Sequence, residues 1–394
     1  MIVRPKIRGF ICTTAHPVGC SQHIQQQIDY VKKQPTISKG PKNVLVVGAS
    51  TGYGLASRIV AAFGCRAKTI GVFFEKPCEN KRTATPGWYN AVAFEKVAGA
   101  EGLYARSFNL DAFADETKDQ VVQTVKSDLG KLDLVIYSLA SPRRLHPRTA
   151  QVAKSVLKPI GSSYTNKSID FDTNQVIEVS LPAATPDEIE QTVSVMGGED
   201  WEMWIEALEK EDLMAPGAFT LAYSYIGPEI TTPVYRGGTI GKAKDHLEGT
   251  ARRLSERLKS KGGRALISVN KALVTQSSSA IPFIPLYFVL LRKVMKQKGI
   301  DEDCIQQMYR LFSSRLYTGK EIPVDAEGRI RIDDWEMRED VQAQVNQLWQ
   351  NVTTENIHQI SDLKGYREDF LKLFGFGLSG VDYNQDVDPD LRLP

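Results

Sequence analysis

The 394-residue chain has only five cysteines, Cys12, Cys20, Cys65, Cys78 and Cys304, and no C-x-x-C pair. That scarcity excludes a disulfide framework and a cysteine zinc site, so the thiols read as reduced, in a cytoplasmic protein. Histidine is equally sparse: His16, His23, His146, His246 and His358 share no ligand-like spacing, and no metal is expected. Charge of one sign is missing too. A formal net charge of +2 gives no electrostatic case for nucleic acid or for a membrane surface. The first residues, MIVRPKIRGFICTTAHPVG, contain no continuous apolar stretch of the signal-peptide kind. The most apolar segment, AIPFIPLYFVLL at 280–291, is too short to span a bilayer and contains two prolines. Stable membrane insertion is therefore not expected, and this segment reads as a buried or interfacial helix forming one wall of a substrate pocket. There is no internal repeat and no low-complexity tract.

What is present is an ordinary globular composition, 42% hydrophobic and 24% charged. The length suggests two domains, or one domain with large additions. The chain is organised around residues 43–55, NVLVVGASTGYGL. Val44 to Val47 form an uncharged, β-preferring run, as suits a strand buried on both faces of a parallel sheet. Gly48, Gly52 and Gly54 follow, and then a helical pattern begins. Glycines fit a tight strand-to-helix turn whose backbone must approach a pyrophosphate closely. The helix after the turn offers unpaired N–H groups and a positive dipole end to that anion. A dinucleotide cofactor is expected here, the alternative being a packing turn in some other α/β protein.

Elsewhere strands and helices alternate. Strands are expected at 67–74, 103–110 and 132–139, with helices at 88–98 and 114–129. This β-α-β-α-β order implies an α/β fold with a Rossmann-like, doubly wound parallel sheet. Residues 1–42 precede the first sheet strand as an N-terminal extension, with a helix over 20–33. The alternation breaks after residue 140. Residues 162–182 alternate polar and apolar, predicting a β-hairpin turning near Asp172-Thr173-Asn174. Two short helical stretches come next, broken at Gly197-Gly198. The block from about 141 to 217 reads as an insertion over the cofactor edge of a catalytic domain spanning 43–394. The sheet resumes at 219–226, a helix is expected at 241–258, and 265–269 is a further strand.

Glu75 ends the second strand 21 residues after Gly54. An acidic side chain there accepts from an adenosine ribose 2′-OH and repels a 2′-phosphate, favouring NADH over NADPH, although Lys76 beside it offsets part of the charge. Asp111 ends the third strand, and Leu139-Ala140 end the next, in the crevice where open α/β sheets bind ligands. Asp111 either contacts the adenine amino group or caps the following helix. The decisive stretch is LAYSYIGPEITTPVYRGGTIGKAK at 221–244. Tyr235 lies in a loop between strand and helix, with Lys242 and Lys244 at the helix start. A phenol of ordinary pKa, about 10, is a poor proton donor at neutral pH unless a nearby cation assists it. A lysine supplies that help and can also hold a nicotinamide ribose.

The glycine pattern and the Tyr-Lys pair resemble the short-chain dehydrogenase/reductase superfamily. The size, N-terminal extension, insertion and Tyr235-x8-Lys244 spacing resemble its enlarged FabV-type branch, the NADH-dependent enoyl-acyl-carrier-protein and trans-2-enoyl-CoA reductases. The motifs carrying the resemblance are GASTGYG at 48–54, FFE ending at Glu75 and YRGGTIGKAK at 235–244. It implies a cofactor site made of Gly48, Ala49, Ser50, Thr51, Gly52, Tyr53, Phe74, Glu75, Asp111, Ala112, Leu139, Ala140, Lys244, Leu273, Val274 and Thr275. It implies Tyr235 and Lys244 as catalytic residues, Tyr225 as the contact to the thioester, and a substrate-binding loop and helix at about 276–299. Ordinary short enoyl reductases have the lysine two residues earlier, at Lys242. The two lysines are about 200° apart on a helix, so only one faces the cofactor, and the FabV-type pattern selects Lys244. Tyr223 shares a strand face with Tyr225 and remains an alternative to it.

The implied reaction is hydride transfer from NADH to the β-carbon of an enoyl thioester on acyl carrier protein or CoA, in fatty acid synthesis. Two other readings stand beside it. One is a carbonyl reductase using Ser224, eleven residues before Tyr235. The other is a non-catalytic NAD(H)-sensing protein, against which the intact Tyr-Lys pair argues. Arg143, Arg144, Arg292, Lys293, Lys296 and Lys298 are candidates for meeting CoA phosphates or an acidic carrier protein. A monomer is expected, because the additions would cover the helices through which shorter relatives assemble.

Overall fold

Seven parallel strands carry the architecture of the computed structural model, which describes residues 1–8, 11–80, 82–275 and 281–394. They are β1 Asn43–Val47, β2 Lys68–Phe73, β3 Ala105–Asn109, β4 Leu132–Tyr137, β5 Met214–Ser224, β6 Arg264–Val269 and β7 Arg329–Arg331. The order across the sheet is β7-β6-β5-β4-β1-β2-β3. Strand order reverses beside β1, whose neighbours are β2 and β4, so the crevice at the carboxyl ends of β1 and β4 is the topological switch point.

The central strand is buried on both faces, as its uncharged run requires. Val44 and Val46 pack into one core and Leu45 and Val47 into the other. The first face is covered by helices α1 (Pro17–Lys33), α2 (Gly52–Ile59) and α3 (Pro86–Ala100). Ile24, Ile28 and Val31 of α1 enter that core, so the N-terminal extension is integral to the sheet's packing. The second face is covered by α4 (Asp115–Thr124), α6 (Glu199–Lys210) and α7 (Thr239–Leu258), with α5 (Pro186–Met196) against α7.

The block at 141–217 is therefore not all addition. Its hairpin, Tyr164–Asp170 paired with Gln175–Leu181, turns at 171–174 as the alternation predicts. But α6 is the crossover helix between β4 and β5, and it buries Trp201, Trp204 and Leu208 completely against the sheet. In sequence the hairpin separates it from β4, which disguises it as part of a cover over the cofactor edge. The remaining chain forms a third core around α8 (Ile284–Gln297), α10 (Glu339–Asn351) and α11 (Leu363–Lys372), while α9 (Cys304–Leu311) packs on α2 and sends Ile305, Met308 and Leu311 into the first core. In the third core Leu286, Tyr287, Val289 and Leu290 of α8 meet Val341 and Val345 of α10. The expected substrate loop at 276–280 lies outside the described residues, while α8 begins within the apolar segment for which the sequence predicts a buried helix.

Candidate active site

A cavity of about 1290 Å³ runs along the carboxyl ends of the strands. The turn after β1 forms its floor. Gly48 has φ +89°, and a Cβ there would lie 2.4 Å from the Ser138 carbonyl oxygen at the end of β4. A Cβ on Gly54 would lie 2.0 Å from the Gly48 oxygen. Any side chain at either position would push strand, turn and helix apart. Thr51 precedes α2 in extended conformation without a side-chain cap, which leaves the first N–H groups of the helix available to an anion. This cradle fits a dinucleotide pyrophosphate. Gly48, Ser50, Thr51, Gly52 and Tyr53 all line the cavity. Ala49 does not: its side chain is buried behind the turn and its N–H donates to the Val72 oxygen at 3.1 Å.

Beyond β2, Phe74 is 76% exposed and stands at the cavity rim. Glu75 turns inward, accepting from Ser50 Oγ at 2.7 Å, and burial pushes its carboxyl above the usual range while bonds from Thr85 and Ser50 oppose that shift. Asp111 lines the cavity beside Ala112. Its Oδ1 accepts from the Phe113 N–H at 3.0 Å, closing a local turn, while the cap of α4 is Ala114. The helix-cap alternative for Asp111 is thereby removed, because the chain takes three further residues before α4 starts. Leu139, Ala140, Leu273, Val274 and Thr275 line the same cavity.

The two lysines separate cleanly. Lys242 is 58% exposed, 3.8 Å from Asp245 on the outer face of α7. Lys244 is 9% exposed, lines the cavity and donates to the Tyr223 carbonyl oxygen at 3.1 Å. Burial lowers its pKa to about 8, with Glu248 opposing. Tyr235 also lines the cavity, and among the described residues its hydroxyl has no hydrogen-bond partner. Burial raises its pKa. The inserted block steadies this loop: the Thr239 N–H donates to the Lys158 oxygen at 3.0 Å, and Pro159 bridges Gly238. Tyr225 and Tyr223 both reach the cavity but are held differently. The Tyr223 hydroxyl pairs with Ser57 of α2, whereas the Tyr225 hydroxyl donates to Glu336 Oε1 at 3.0 Å. Ser224 is buried at the cavity wall.

Several wall residues carry no signal in the sequence. Lys271, 4% exposed, pairs with Asp301 at 3.3 Å, and Asn270 and His23 also line the cavity. Glu336 and Tyr287 stand behind Tyr225. The cationic residues considered for CoA or carrier protein are mostly engaged within the fold. Arg144 is fully buried against Glu199 at 2.6 Å; Lys296 pairs with Asp362 at 2.7 Å and Lys298 with Asp340 at 2.9 Å. Arg292 pairs with Asp362 and Asp369. Adjacent carboxylates offset the charge of these four side chains, and full burial removes Arg144 as a phosphate or carrier contact, whereas Arg292 lines the cavity.

Residues 82–317 match the family described as the trans-2-enoyl-CoA reductase catalytic region, and residues 2–80 match the NAD(P)H binding domain of trans-2-enoyl-CoA reductase. Residues 324–387 match the enoyl reductase FAD binding domain. The chain is 60% identical over 396 aligned residues to the enoyl-[acyl-carrier-protein] reductase [NADH] of Coxiella burnetii, covering 100% of this chain and 98% of that one. It is 62% identical to the protein so named in Flavobacterium johnsoniae, covering 98% of each. The Treponema denticola trans-2-enoyl-CoA reductase, solved in complex with NAD, superposes with a TM-score of 0.96 at 52% identity over 100% of both chains. The Clostridium acetobutulicum trans-2-enoyl-CoA reductase, solved with NADH, gives 0.97 at 46% identity, covering 99% of this chain and 98% of that one.

Residues 324–387 do not fit a flavin. Ile330, Val341, Val345, Ile357 and Phe370 are core side chains. Among the described residues this segment contributes only Asp369, Lys372 and Leu373 to the cavity. It contains no strand-to-helix glycine turn like that at 48–54.

Proposed function

The chain belongs to the trans-2-enoyl-CoA reductase family, and from that premise we propose that it reduces the carbon–carbon double bond of trans-2-enoyl thioesters with NADH. The observation that carries the proposal is the meeting of the glycine cradle, Lys244 and an unpartnered Tyr235 hydroxyl in one cavity. NADH supplies a hydride to the thioester's β-carbon. The protein's part is positioning and charge stabilisation.

The backbone of Gly48 to Tyr53 and the start of α2 hold the pyrophosphate. Glu75 excludes a 2′-phosphate by charge, Asp111 and Ala112 border the adenine, and Leu139, Ala140 and Leu273 to Thr275 flank the nicotinamide half. Lys244 holds the ribose and presents a positive charge to Tyr235. As negative charge develops on the thioester oxygen, Tyr235 donates to it and delivers a proton, and Tyr225 orients the carbonyl. A donor with no other partner in the resting protein meets that oxygen without first breaking an internal bond, which favours the transition state selectively.

The acyl group is carried on acyl carrier protein or CoA, and the enzyme acts as a monomer in the cytoplasm. Free cysteines suit that reducing compartment. Among the described residues no helix is long and apolar enough to cross a membrane. The deciding assay is NADH oxidation with crotonyl-CoA. Turnover with NADH, and far less with NADPH, is expected; tight NADH binding without turnover of any enoyl thioester would overturn the proposal.

A further inference from the structure

Glu336 is completely buried behind the Tyr225 side of the cavity, and three elements converge on its carboxylate. Its Oε1 accepts from the Tyr225 hydroxyl at 3.0 Å, at the end of β5, and from the Tyr287 hydroxyl at 2.8 Å, on α8. Its Oε2 accepts from the Ala272 N–H at 2.6 Å, in the loop after β6. The Tyr287 oxygen additionally accepts from Gln342 Nε2 at 3.1 Å. Among the described residues nothing donates to the Tyr225 oxygen.

A phenol has one proton, and that of Tyr225 is turned toward Glu336. It cannot at the same time donate to a substrate oxygen. We infer that Glu336 is a positioning residue that switches Tyr225 between two roles. The ionised carboxylate retains the Tyr225 proton; the protonated acid donates to the Tyr225 oxygen and releases that proton toward the thioester carbonyl. Oε2 is occupied by a backbone donor, so the added proton belongs on Oε1, facing the tyrosines. The Tyr287 oxygen already has a donor, which leaves the Tyr225 oxygen as its acceptor. The added proton comes from solvent; none passes between Glu336 and Tyr225, which only exchange the roles of donor and acceptor.

The electrostatics suit such an exchange near neutral pH. Burial pushes the Glu336 carboxyl up to about 6. The groups facing it are Lys271, which favours the ionised form, Asp333, which opposes it, and the phenols of Tyr53, Tyr225 and Tyr287. The inference rests on reading the cavity as an enoyl-thioester site.

The test compares kcat/KM for crotonyl-CoA, at saturating NADH, across about pH 5 to 7, below the Lys244 limb, in wild type, Glu336→Gln and Tyr225→Phe. In wild type it should fall about three- to tenfold as pH rises through the Glu336 transition, the value of one neutral hydrogen bond. In Glu336→Gln the amide oxygen accepts from Ala272 N–H and the NH₂ faces the tyrosines, imitating the protonated acid. That limb should therefore vanish in Glu336→Gln, with KM for NADH unchanged. It should vanish in Tyr225→Phe as well, which keeps the test intact if Glu336→Gln folds poorly. A limb that persists in either folded variant overturns the inference, as does its absence in wild type. A wild type that turns over no enoyl thioester instead overturns the functional reading beneath it.

Discussion

The ring of Tyr225 meets that of Tyr235 edge to face, with centroids 4.9 Å apart and planes at 82°. The two phenols share a wall but not a hydrogen-bond state: Tyr225 is tied to Glu336, and Tyr235 is unpartnered among the described residues. Tyr235→Phe keeps the ring contact and deletes only the free hydroxyl. It should lower kcat by about 10² to 10⁴ while leaving NADH affinity near wild type, measured by steady-state kinetics beside fluorescence titration. A loss of NADH affinity equal to the loss of rate would show that the hydroxyl is not the proton donor.

The two lysines at the start of α7 give opposite expectations. Lys244→Ala should lose about a hundredfold in kcat/KM, through both cofactor binding and oxyanion support. Lys242→Ala removes an exposed side chain near Asp245 and should stay within about twofold of wild type. Equal losses in the two variants would contradict the assignment.

The buried position of Lys244 also sets a pH limit. Its pKa is lowered to about 8, so the ammonium form is present below that pH and is lost as pH rises through it. Activity should fall along that alkaline limb. Replacing Lys244 by arginine, which stays charged, should move the limb upward even if the absolute rate drops. The pH–rate profile decides this, and an unmoved limb would assign it elsewhere.

At the adenosine end, Glu75 is the charge expected to reject a 2′-phosphate. Glu75→Gln keeps an acceptor for Ser50 and removes the charge. The ratio of kcat/KM for NADPH to that for NADH should rise by about tenfold or more. An unchanged ratio would mean that the shape of the pocket, not its charge, selects the cofactor.

Trp204 tests the sheet instead of the chemistry. It is fully buried in α6, and its Nε1 donates to the oxygen of cavity-lining Ala112 at 3.1 Å. Trp204→Ala should destabilise the fold by about 3–5 kcal/mol, read as a lowered urea midpoint. If α6 were a peripheral insert, the midpoint would barely move.

Local chemistry makes much of this legible from the sequence. Val44 to Val47 announce a doubly buried strand, and the glycines after it announce a close backbone approach. The alternation around Asp172-Thr173-Asn174 announces a hairpin. What stays hidden is pairing across long chain separations. The Pro216-Gly217 dipeptide conceals the first half of β5, whose pairing with β4 shifts register between Met214 and Phe219. Trp201 and Trp204 look like part of an insert because the hairpin intervenes, although their burial places them in the sheet's core. Glu336 sits among Trp335, Met337 and Arg338 with no surrounding motif, since its partners come from three other elements. A buried carboxylate is recognised by what surrounds it in space.

Those separations have a temporal side. Tyr225 leaves the ribosome 111 residues before the carboxylate that fixes its hydroxyl. The helix of the glycine cradle waits nearly as long, because α2 packs against α9, whose Ile305, Met308 and Leu311 complete the core beneath it. Vectorial synthesis therefore finishes the cofactor cradle and the substrate anchor within the same closing stretch of chain.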